Sequence, residues 1–177
     1  MPKWADAWQK AANDVSTNVP ALKAAVRKYV LKPELDVLDN YVFWLGQVKE
    51  MALKRVGLEK ELQKGSPMKQ VGAAAELRQL TGQLDKAGKE AIKAGAPMKK
   101  SASSISGKID KLGDAINEID RATVSAAGRA AVTALVNLGV KVSKTASGMN
   151  MDTPENWVAE IKQDPSAGRA PTGGDAG

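Results

Sequence analysis

Apolar residues recur at helical intervals through most of this chain. Leu77, Leu80, Leu84, Ala87, Ala91 and Ala94 step by 3, 4, 3, 4, 3. After Gly95-Ala96-Pro97, Ile105, Ile109, Leu112, Ile116 and Ile119 step by 4, 3, 4, 3. Each row is a narrow apolar seam along one helix, and such a seam needs a partner. Reversal of the chain at Gly95–Pro97 would make an antiparallel helical hairpin of about residues 67–94 and 97–147. Contacting residues would then have numbers summing to about 192, so Leu84 would meet Ile109 and Leu80 would meet Leu112. One long helix kinked at Pro97 would leave both seams for self-association instead.

Elsewhere the same period predicts further helices. Trp4, Trp8, Ala11, Ala12 and Val15 share a face of a helix over residues 3–15. Ser16-Thr17-Asn18 should end it, with Asn18 capping a second helix that carries Pro20 in its first turn. The buried stripe expected there is Ala21, Leu22, Ala25, Val26, Tyr29 and Val30. Pro33 should restart the chain as a long helix over about 34–63. Gly65-Ser66-Pro67 is a stop and restart, with serine as N-cap and proline at the first helical position. The stretch 122–142 is apolar almost all round, broken by Arg129 and Asn137, and such helices are usually enclosed. Ser147-Gly148 ends it. Asp152-Thr153-Pro154-Glu155 can cap a last short helix holding Trp157, Val158 and Ile161. The expectation is an all-α fold, an elongated helical bundle without β-sheet. Its domain would span 1–148, followed by a short capped helix at 149–163 and a disordered acidic Gly/Pro tail at 164–177.

Composition narrows the chemistry. Aromatics are 4% of 177 residues, so alanine, leucine and valine must build thin helical cores. There is no cysteine and no histidine. Disulfides, thiolate chemistry, the commonest general base and the commonest zinc ligand are therefore missing. No phosphate loop, dinucleotide fingerprint or nucleophile elbow occurs either. A protein without catalytic residues, cofactor, metal or small-molecule substrate is expected. Of the 26 Lys and Arg residues, 24 lie in residues 1–150, against 15 of the 20 Asp and Glu. This basic body could meet nucleic acid, lipid headgroups or an acidic protein by charge. Residues 1–15 do not read as a signal peptide, and no run of about 18 apolar residues is present. A soluble chain, cytoplasmic or non-classically secreted, fits both points.

Candidate sites follow from the aromatics and the lysines. Trp4 and Trp8 suit a membrane interface or a partner groove, or else staple the first helix to the bundle. Tyr41, Phe43 and Trp44 cannot all face one side of a helix, so one should be exposed as a docking point, and Trp157 marks the last helix. Trp44-Leu45-Gly46 spells the Trp-x-Gly turn of small secreted helical-hairpin proteins, but the helical period runs through it, so helix is expected. Lys86, Lys89, Lys93, Lys99, Lys100 and Lys108 surround the expected hairpin tip and could bind phosphates. The reading that accounts for most of the sequence is a structural or interaction protein that binds a protein partner or itself through helix faces. The alternatives are a membrane-active protein using 122–142 and a basic binder of nucleic acid or anionic surfaces.

Overall fold

The computed structural model describes residues 3–166. The fold is all-α, with no strand among the described residues. In chain order the helices are α1 (Trp4–Asn18), α2 (Lys23–Lys28), α3 (Lys32–Lys64), α4 (Pro67–Gly95), α5 (Met98–Asn117), α6 (Ala126–Met149) and α7 (Pro154–Gln163), with short 3-10 turns at Pro20–Leu22 and Arg121–Thr123. They form two compact units, one of residues 3–39 and 97–151, the other of residues 40–96 and 152–166.

In the first unit α6 packs against α1 and α5, and α2 against α5. The expected face of α1 is buried through Trp4, Trp8, Ala12 and Val15. Gly139 makes room for the packing: a Cβ there would lie 3.5 Å from Ile109 of α5 and 3.7 Å from Trp8 of α1. Lys3 supplies no cap to α1. The Asp39 carboxylate does so from a distance, accepting from the backbone N–H of Trp4 at 2.8 Å and of Ala5 at 3.0 Å. Burial pushes Asp39 above the usual carboxylate pKa, against the pull of those two bonds. Glu34 goes the other way. Burial favours its neutral form, but Lys108 at 2.6 Å, its own backbone N–H and Ser104 at 3.0 Å outweigh burial and hold the pKa below its ordinary value.

Three expectations fail in this unit. The expected single helix over 97–147 is two helices, α5 and α6, reversing across Glu118–Ser125. Two local acceptors cause the break: Asp120 accepts from Ala122 N and Ser125 from Gly128 N, each at 3.0 Å. These bonds satisfy donors that a continuous helix would otherwise use. The stretch 122–142 is not enclosed. Ala126, Ala127, Ala130, Ala134, Val136 and Val140 are exposed, and Val140 keeps 63% of its surface. Alanine tolerates water at little cost, so an alanine-rich apolar string overstates burial. Asn18 does not cap a second helix; its amide donates back to Asp14 O at 2.8 Å. Of the stripe expected after it, only Leu22 is buried, because the chain there makes a 3-10 turn and a six-residue helix.

In the second unit α3 and α4 reverse at Gly65–Ser66, where Gln70 of α4 donates to Leu62 O of α3 at 3.1 Å. The stop and restart fall where the sequence places them, but the Ser66 side chain makes no capping bond. Helix α3 runs unbroken through Trp44-Leu45-Gly46. The seam of α4 is buried as expected through Leu80, Leu84, Ala87, Ala91 and Ala94, with Leu77 half-buried. Its cover is α7. Gly88 lies beneath Val158 and Lys162, a Cβ there meeting them at 3.2 and 3.3 Å. Thr153 caps α7 by accepting from Asn156 N at 3.2 Å, as the sequence suggests. Lys162 stitches the end of α7 to both long helices: its carbonyl accepts from Arg55 at 2.6 Å and its ammonium reaches Asp85 at 3.3 Å. Beyond that level α3 and α4 continue as an arm of about 15 Å from Arg55 to Gly65 at 1.5 Å per residue. Pro165 is buried; the remainder of the expected tail, residues 167–177, lies outside the described residues.

Candidate functional site

Four of the six candidate aromatics are core residues. Trp4, Trp8, Tyr41 and Trp157 are buried. The tryptophans of α1 therefore hold that helix in place and are not presented to a membrane or a groove. The cluster in α3 splits as its spacing requires: Tyr41 faces in, Trp44 is half-buried and Phe43 remains 43% exposed. Phe43 and Trp44 meet edge to face at 5.2 Å. Among the lysines, Lys86, Lys89, Lys93, Lys99 and Lys100 are exposed, whereas Lys108 is taken up by Glu34 and by Val30 O at 2.9 Å.

The outward face of α4 carries a second heptad-spaced row, opposite the buried seam. Met68, Val71, Ala75, Arg78, Gly82, Lys86, Lys89 and Lys93 follow one another at three- or four-residue steps, and all are exposed. The row changes character along the helix. Where α7 packs on the other side, it is lysine. On the arm, it is Met68 at 89% and Val71 at 72% exposure. Leu53 of α3 is exposed at the base of the arm. Between the two helices of the arm a polar cleft opens beside Leu58 and Leu80, so the seam there is not sealed.

A different surface lies in the first unit, at the α5–α6 reversal. Val19 and Leu22, Ile116 and Ile119, and Val132 and Val136 line a groove of about 340 Å³. Arg121 and Arg129 stand on its rim with Asn117, Thr133 and Asn137. No local pattern of the sequence announces this groove. It depends on the break at Glu118–Ser125, and the two N-cap residues Asp120 and Ser125 were the signal for that break.

Comparison with family models, with curated proteins and with solved structures finds no match. Among the described residues no group of three or more His, Cys, Asp or Glu residues is placed to hold a metal ion. No helix among them is long and apolar enough to cross a membrane.

Proposed function

We propose that the protein is a non-catalytic helical module that associates with a second copy of itself through the arm of α3 and α4. The observation that carries this reading is the exposure of Met68 and Val71 on the arm, away from the contacts α7 makes at Asp85, Gly88 and Gly95. Two helices cannot enclose the apolar positions of both, and burying them takes more helices, as in four-helix bundles assembled from hairpins. A second copy supplies two more of the same length. The arm also carries both charges, Glu59, Glu61 and Glu76 among Lys60, Lys64 and Lys69, as an isologous interface needs to avoid self-repulsion. The small residues Gly72 and Ala75 lie next to Val71, and a Cβ added at Gly72 meets nothing within 4 Å, so another helix can approach closely.

Sedimentation equilibrium tests the reading. The full chain is expected to sediment as a dimer or higher species at micromolar concentration. A Met68→Glu, Val71→Glu double variant is expected to sediment as a monomer with an unchanged far-ultraviolet circular dichroism spectrum. A monomeric wild type, or a variant of unchanged mass, would overturn it. The self-association reading is preferred to the membrane reading of 122–142 because Ala126, Ala130, Val136 and Val140 of that stretch are exposed to water.

A further inference from the structure

We propose that the groove at the α5–α6 reversal is a binding site for a single-chain amphiphile with an anionic head, a medium-chain carboxylate. Three separate segments supply its wall: the turn before α2, the end of α5 and the start of α6. Seven of the twelve lining side chains are aliphatic, the others are Asn117, Arg121, Arg129, Thr133 and Asn137, and no aromatic ring is among them. A flexible hydrocarbon chain fits such a wall, whereas a flat ring system finds nothing to stack on. The volume is at the low end for small-molecule sites, which selects a slim ligand.

The rim selects the head. Arg121 and Arg129 both line the groove, and neither is in an ion pair among the described residues. No acidic residue lines it. Glu118 and Asp120 stand in the reversal beside it, and the Asp120 carboxylate is turned to Ala122 N. Two guanidinium groups without a carboxylate, over an aliphatic floor, present a forked donor to an anion whose tail is greasy. The packing keeps the floor in place. Gly128 sits so close to its neighbours that a Cβ would come within 2.8 Å of Val124 and 2.9 Å of Val19. A side chain at 128 would push α6 off the turn and spread the wall. Val140, one turn beyond Val136 on the same side of α6, offers aliphatic surface for a longer tail.

The ligand in this proposal is held and not turned over. It does not depend on self-association, since the arm belongs to the other unit. Isothermal titration of the full chain with sodium decanoate, kept below micelle formation, tests it together with amide chemical-shift mapping. Saturable one-to-one binding is expected, with shifts confined to residues of the groove. Acetate and decyltrimethylammonium are expected to give none. An Arg121→Gln, Arg129→Gln variant is expected to lose about tenfold or more in affinity, the effect of removing a charged fork. Both arginines are exposed, so the variant should keep the wild-type melting temperature. Equal binding of the cationic amphiphile, equal binding by the variant, or binding to phosphatidylglycerol vesicles without binding to decanoate would each overturn the proposal.

Discussion

The two halves of α4 share one heptad pattern and differ in nearly everything else. From Leu80 to Gly95 the inner row is buried and glycine is used to bring neighbours close, as at Gly88 beneath Val158. From Pro67 to Gln79 only Ala73 is buried, and Gly72 has nothing near it. The contacts of α7 at Asp85, Gly88 and Gly95 fall on the first of these halves. Periodicity therefore states which side of a helix is apolar, and a third helix decides whether that side is dry.

Substitutions in the two halves can break or sharpen this contrast. The largest effect is expected at Leu84, which is only 1% exposed. Leu84→Ala should destabilise by about 2–5 kcal/mol, with Leu77→Ala on the half-buried side costing less than half as much. Equal losses in chemical denaturation would erase the distinction between the halves. Next is Gly95, where a Cβ would come within 2.6 Å of Pro154 and 2.7 Å of the Tyr41 ring. Gly95→Ala should cost about 1–3 kcal/mol through overpacking, despite alanine's better helix propensity. Gly82→Ala should do the reverse and stabilise by about 0.5–1 kcal/mol, since nothing lies within 4 Å of the new methyl group. A melting temperature lowered by Gly82→Ala would show that something covers this face of α4. The smallest change in stability is expected for Val71→Lys, within about 0.5 kcal/mol of wild type. That variant should still weaken self-association, which sedimentation would read.

The helices of this fold were largely legible in the sequence. Gly65-Ser66-Pro67 marked a real reversal, the α4 seam was buried where its spacing said, and Thr153 capped α7. What escaped was set by competition or by distant neighbours. The break at 118–125 has no glycine or proline to announce it and rests on two side-chain oxygens, of Asp120 and Ser125, outbidding a helix. The openness of α6 was hidden by alanine, which looks apolar and sits easily in water. Asp39 capping α1 joins residues 35 positions apart, a pairing that no local pattern encodes. The arginine-rimmed groove is of the same kind, since its wall is assembled from residues 19 to 137.

Because α5 and α6 lie between α4 and α7 in the chain, the order of synthesis matters. The leucines and alanines of α4 leave the ribosome well before the helix that will cover them. At roughly 5–20 residues per second, the stretch from Gly95 to Gln163 takes several seconds to emerge. For that interval the nascent chain presents a bare greasy stripe, open to chaperones or to a neighbouring chain on the same message.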